Sequence, residues 1–194
     1  MTKDWTGNRK STYTTLGASS HTNHERAEND YYATEPRCMS DLLSLDLGIY
    51  NVWECACGEG HLANVLNIAG VLGRASDLID RNYGEHGVDF LTQSDYWDGW
   101  IVTNPPYRYA LEFCKKAIEL SPNVAMFLKL TFLEGQERFH FFKEYPPKYV
   151  YVYSSRRICA LNGDFESISS GASAYAWFIW EKGYKGDTVI RWIL

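Results

Sequence analysis

The sequence predicts an α/β domain whose sheet is mostly parallel, with one antiparallel strand at one end. Three observations predict it. Apolar strand-like runs alternate with amphipathic helical runs, the pattern of strand-helix-strand units. The run 124–128 is continuously apolar between Pro122 and Lys129, which suits a strand buried on both faces. The last two strand-like runs have no helix between them, so one opposes the other in direction.

In chain order, residues 1–29 are rich in Ser, Thr, Asn and Gly without a hydrophobic period, and are expected to form a flexible arm. The folded domain is expected over 30–194. Tyr31-Tyr32-Ala33-Thr34-Glu35-Pro36 leads into an amphipathic helix over 37–47, ended near Gly48. Strands are expected at 50–55, 71–76, 88–89, 100–103 and 124–128, and helices at 61–69, 108–120 and 134–144. Two aromatic, β-branched strands follow at 148–154 and 174–181, separated by a loop rich in Ser and Gly. No internal repeat is present.

With 194 residues, 45% of them hydrophobic and 15% aromatic, the chain has enough apolar surface for one real core. It contains no run of eighteen apolar residues, and Met1-Thr2-Lys3-Asp4-Trp5 lacks the apolar centre of a secretory signal, so a cytoplasmic protein without a membrane partner is expected. The five cysteines (Cys38, Cys55, Cys57, Cys114 and Cys159) form no Cys-x-x-Cys pair, and reduced thiols are expected. Cys55 and Cys57 are one residue apart at a strand end and point to opposite faces, which favours packing over metal binding. No metal is expected. The formal net charge of -5 weighs against tight non-specific nucleic-acid binding. Local basic groups remain, at Lys3, Arg9, Lys10 and Arg26, at Arg108, Lys115 and Lys116, and at Arg156-Arg157, each with solvated surface charge as its ordinary reading.

Four strand ends could carry chemistry. Asn104-Pro105-Pro106-Tyr107 follows the strand at 100–103. Two prolines fix φ and donate no backbone hydrogen bonds, and the first pushes Asn104 out of the α region, so the strand stops in a stiff turn. Such a turn gathers a side-chain acceptor, a carbonyl and an aromatic ring, enough to grip a planar amino group. Glu54-Cys55-Ala56-Cys57-Gly58-Glu59-Gly60-His61 opens the helix at 61–69, and its glycines permit close backbone approach. It is not Gly-x-Gly-x-x-Gly, since Ala63 holds the third position, and no Lys-Ser/Thr pair makes a phosphate loop. Asp77, ending the strand at 71–76, is placed to accept from both ribose hydroxyls, with Asp80 in reserve. Asp89 with Phe90 repeats the arrangement one strand later, where a carboxylate and a ring suit a base. For each of these, a plain turn or a surface carboxylate is the alternative.

Together these segments resemble the class I S-adenosylmethionine-dependent methyltransferases that modify amino groups. The likeness is greatest to the DNA N6-adenine methyltransferases, including small phage-type enzymes. Residues 54–60 are similar to that family's Asp/Glu-Pro-Ala-Cys-Gly-x-Gly, with Cys55 where the family has proline. Asn104-Pro105-Pro106-Tyr107 matches its catalytic tetrapeptide, and Tyr32-Ala33-Thr34-Glu35-Pro36 looks like the motif ahead of the cofactor site. The resemblance covers about 30–194. It implies a Rossmann-like, seven-stranded sheet with helices on both faces, and S-adenosylmethionine as cofactor.

It further implies that the cofactor would touch Tyr32, Thr34, Glu54, Ala56, Cys57, Gly58, Gly60, Asp77, Leu78, Asp89 and Phe90. A flipped adenine of DNA would meet Asn104, Pro105, Pro106 and Tyr107. The 129–134 segment, Arg156-Arg157 and the 167–173 loop would complete the target site, with one of the arginines on phosphate. The chain has no room for a separate target-recognition domain, which implies weak sequence specificity. RNA-base or protein-glutamine methyl transfer, and a non-catalytic module on the same fold, are the other readings of the same turn.

Overall fold

The continuously apolar run forms the centre of the sheet. In the computed structural model, which describes residues 31–161 and 173–194, the first elements are β1 (Tyr32–Thr34), α1 (Pro36–Leu43), β2 (Val52–Glu54), α2 (His61–Ile68) and β3 (Leu72–Ala75). They are followed by β4 (Trp100–Thr103), α3 (Ala110–Leu120), β5 (Asn123–Lys129), α4 (Gln136–Glu144) and β6 (Tyr149–Tyr153). The last are β7 (Cys159–Leu161), β8 (Tyr175–Glu181) and β9 (Val189–Ile193). Seven strands make one sheet in the order β3-β2-β4-β5-β8-β6-β9, and β1 pairs with β7 in a separate two-stranded sheet. Within the seven-stranded sheet, strand β8 alone runs against its neighbours, β5 on one side and β6 on the other, and the remaining pairings are parallel.

The alternation of side chains along β5 divides the core between two faces. Val124, Met126 and Leu128 pack with Phe113, Cys114 and Ala117 of α3 and Phe141 of α4. Ala125 and Phe127 pack on the other face with Cys38, Met39 and Leu42 of α1 and Leu62 and Leu66 of α2. Two indoles make hydrogen bonds inside the core, one along the sheet and one from sheet to helix. Trp53 Nε1 donates to Ser76 Oγ at 2.8 Å, and Trp177 Nε1 donates to the Cys38 carbonyl at 3.1 Å.

The expected and observed elements differ in four places. No strand forms at 88–89. Asn82, Gly84 and Gly87 all have positive φ, so the segment touches β3 only through an isolated bridge between Ser76 and Glu85, and Asp89 instead caps a 3-10 turn over Phe90–Thr92. The seventh strand is β9, on the opposite edge beside β6, where no strand was expected. The first helix ends at Leu43, because the Ser44 hydroxyl bonds the Asp41 carbonyl and Asp46 turns to positive φ. The pair β1 and β7 was also not expected. The 1–29 arm, with its basic residues, and 167–172 of the Ser/Gly loop lie outside the described residues. Among the described residues no helix is long and apolar enough to cross a membrane.

Candidate active site

The carboxyl ends of β2, β3, β4 and β5 meet beside the reversal of strand order between β2 and β4, where open α/β sheets hold ligands. A cavity of about 1010 Å³ opens there. It is lined by Tyr32, Thr34, Glu54, Ala56, Cys57, Asp77, Leu78 and the whole Asn104-Pro105-Pro106-Tyr107 turn. A second cavity of about 790 Å³ lies at the other end of the sheet, between α3, α4 and Trp180, and contains none of the expected residues.

The glycine turn forms the floor on one side. Gly58 and Gly60 have φ of 55° and 85°, and Gly60 is the residue at which α2 begins. A Cβ on Gly60 would strike the Tyr83 ring, and one on Gly58 would come within 2.5 Å of the Tyr31 ring. The turn therefore needs glycine for its conformation and for its neighbours alike. Asp77 fastens it to the end of β3. One carboxylate oxygen accepts the Gly58 N–H at 2.8 Å, and the other accepts the Ile79 N–H at 2.9 Å. Each oxygen keeps a lone pair for a further donor. Leu78 beside it is 56% exposed, an apolar surface at the cavity wall.

Glu54, at the end of β2, is 1% exposed. Burial raises its carboxyl to about 7, opposed by the Thr103 hydroxyl and the Ala56 N–H. Cys57 is pushed up to about 12 by burial, so it lines the cavity as a neutral thiol. Cys55 packs into the core beside Trp53. All five cysteines are free.

The tetrapeptide faces this floor from β4. Asn104 Nδ2 donates to the Tyr32 carbonyl at 3.1 Å and to Thr34 Oγ1 at 2.8 Å. A backbone carbonyl accepts only, so the amide orientation is fixed. Asn104 Oδ1 is buried and accepts no hydrogen bond from the described residues. The Tyr107 hydroxyl shares a 2.7 Å hydrogen bond with Tyr175, and burial pushes it far above the usual phenol range. The Tyr32 ring lies 5.3 Å from the Tyr107 ring, centre to centre, and Lys129 Nζ sits 4.2 Å from the centre of that ring.

Gly58 and Gly60 shape the cavity from below without lining it. Asp89 and Phe90 are not brought to it. Asp89 is committed to the Leu91 N–H at 3.0 Å, and Phe90 is 2% exposed in the core against Trp53 and Phe113. Of the two arginines, one of which was expected on phosphate, Arg157 is buried at 5% exposure and paired with Glu35 at 3.4 Å and Asp41 at 3.2 Å, and Arg156 is exposed. Sequence reasoning missed Tyr31, His61 and Arg81. Tyr31 takes the Glu59 N–H at 3.3 Å and carries Arg81 at 4.0 Å over its ring. Its place in a Tyr31-Tyr32 pair ahead of Thr34 was the available signal.

Sheet order, the single antiparallel strand and helices on both faces define the Rossmann-like fold of the class I methyltransferases. Structures similar to this chain include methyltransferases. One is a proposed RNA methyltransferase from Pyrococcus horikoshii, with a TM-score of 0.59 and 16% identity over 91% of this chain and 98% of that one. Another is a proposed class I S-adenosylmethionine-dependent methyltransferase from Listeria monocytogenes (TM-score 0.56, 12% identity, 92% of this chain and 70% of that one). A third is magnesium protoporphyrin IX methyltransferase from Synechocystis with bound S-adenosylmethionine (TM-score 0.51, 11% identity, 76% and 77%). No protein-family model and no curated protein matches the sequence at a significant level.

Proposed function

We propose that this protein is an S-adenosylmethionine-dependent methyltransferase acting on the exocyclic N6 amino group of adenine in DNA. One observation carries the amino-group reading: Asn104 Oδ1 is a buried acceptor without a donor among the described residues, aligned by two hydrogen bonds from the other end of the same amide. An unpaired buried acceptor costs about 1–3 kcal/mol, which an incoming N–H donor would offset.

The residues present fit the cofactor. Glu54 would face the ammonium of its methionine part, Asp77 the ribose and Leu78 its adenine, and a volume of about 1010 Å³ accommodates a cofactor together with a planar acceptor. When bound, the cofactor supplies an electrophilic methyl group on sulfonium. Asn104 Oδ1 and the Pro105 carbonyl would accept the two amino hydrogens, which draws the nitrogen lone pair out of conjugation and aims it at that methyl group. Pro105 and Pro106 hold the two acceptors still, so positioning and fixed dipoles supply the catalysis. The methylated nitrogen then loses one proton to water. Tyr107 would stack on the base, with Lys129 moving off the ring toward the backbone phosphates. Aromatic stacking of this kind contributes on the order of 1–3 kcal/mol.

DNA as acceptor is supported by the resemblance of 32–36, 54–60 and 104–107 to the DNA adenine methyltransferases. An RNA acceptor is the second reading, favoured by the similarity to the Pyrococcus horikoshii protein. Incubation with tritiated S-adenosylmethionine and DNA, RNA or protein acceptors in parallel, followed by nucleoside analysis, tests the proposal. Label in N6-methyladenine from DNA is expected. Label confined to RNA or protein overturns the acceptor, and no cofactor binding by calorimetry overturns the enzyme reading.

A further inference from the structure

The amide of Asn104 can be turned two ways about its last bond, and one of them points oxygen into the cavity. The choice is made by β1. Its Tyr32 carbonyl and Thr34 hydroxyl both lie against Asn104 Nδ2, at 3.1 and 2.8 Å. A half-turn of the amide would set Oδ1 against the Tyr32 carbonyl, acceptor on acceptor, and would aim two N–H groups at the acceptor site. β1 is itself held in place. Thr34 pairs with Cys159 across the β1–β7 ladder, the Cys159 sulfur neighbours the Thr34 hydroxyl, and Thr34 is 3% exposed. A hydroxyl so enclosed is committed to the amide and offers little surface to a cofactor.

We propose that Thr34 is a positioning residue: the Tyr32 carbonyl sets which way the Asn104 amide faces, and the Thr34 hydroxyl, its second acceptor, holds the amide still with its oxygen toward the methyl acceptor. The inference rests on the proposed amino-group methyl transfer, and it moves Thr34 from the cofactor's ligands to the alignment of the catalytic turn. Methyl transfer would then depend on Thr34 although the side chain touches neither substrate.

The test uses the full chain and the variants Thr34→Val and Thr34→Ser. Thr34→Val keeps the shape and loses the hydroxyl. It is expected to lower the single-turnover rate about 10- to 100-fold, with the dissociation constant for S-adenosylmethionine within about twofold of the parent by calorimetry. Thr34→Ser is expected to restore the rate. Independently of activity, the side-chain NH2 signals of Asn104 in 1H–15N spectra, assigned by their loss in Asn104→Ala, are expected to exchange slowly with solvent in the parent and faster in Thr34→Val. A Thr34→Val protein that binds cofactor more weakly at an unchanged rate overturns the proposal, because Thr34 is then a cofactor ligand. Rapid exchange of the Asn104 amide in the parent overturns it as well, even where Thr34→Val does not fold. Should no acceptor be methylated, the proposed function fails, while the exchange measurement still decides the role of Thr34.

Discussion

Glu54 brings its carboxyl to the end of β2 at 1% exposure, and burial raises it to about 7 against 4.5 for the free group. The unfolded chain gives up this proton near pH 4.5, and the folded chain holds it until about pH 7. Between those values the unfolded state binds fewer protons, so stability falls as pH rises, by roughly 3 kcal/mol in all. Urea titrations at pH 5 and 7.5 are expected to show that fall, and Glu54→Gln to flatten it. A bound ammonium would favour the carboxylate, so cofactor affinity is expected to rise through pH 7 in the parent alone. Asn104→Ala removes the oriented acceptor and is expected to abolish methyl transfer with calorimetric cofactor affinity nearly unchanged; substantial residual activity would remove Asn104 from the mechanism. These residues were legible because each ends a strand at a fixed offset from glycine or proline. Asp89 and Phe90 have the same local signature, but whether Phe90 turns outward depends on Trp53 and Phe113, which lie far from it in sequence.

The strap of β1 and β7 is the element that sequence reasoning did not find. Three-residue strands carry no measurable period, and the pairing joins residues more than a hundred positions apart. Its anchor is Arg157, which spans Glu35 and Asp41 and lies 4.4 Å from the centre of the Tyr153 ring. An Arg-Arg pair at a strand end signals surface charge in a sequence; two carboxylates, one from the last turn of α1 and one from the residue before that helix, make one of them internal. Arg157→Met keeps the stem and takes the guanidinium from both carboxylates, Asp41 keeping only Arg37 at 3.8 Å. It is expected to cost about 3 kcal/mol, the lower end for a broken buried pair, since Glu35 and Asp41 are partly exposed. Denaturant titration measures the cost. Hydrogen exchange should show opening concentrated in 32–35 and 157–161, not in β5.

At the scale of the molecule, alternation of strand and helix was enough for the α/β class, the antiparallel strand and the placing of the glycine and Asn-Pro-Pro-Tyr turns at carboxyl ends. The edges were not. Gly84 and Gly87 break the edge beyond β3, and the exposed apolar side chains of β9, Trp192 at 70% among them, resemble no buried strand. Strand β8 sits between β5 and β6 and pairs with β5 along its whole length, from Asn123↔Glu181 to Lys129↔Tyr175. During synthesis, β6 therefore emerges before the strand that must separate it from β5. The apolar strand at the centre of the sheet keeps an open edge until residues 175–181 have left the ribosome, and pairings this distant in sequence form slowly. A chain cut before Tyr175 is expected to lack dispersed amide signals and to aggregate, and adding a peptide of 173–194 in trans to restore some native signal. Folding of this protein thus has a natural last step, and the chain is most exposed to misassembly just before it.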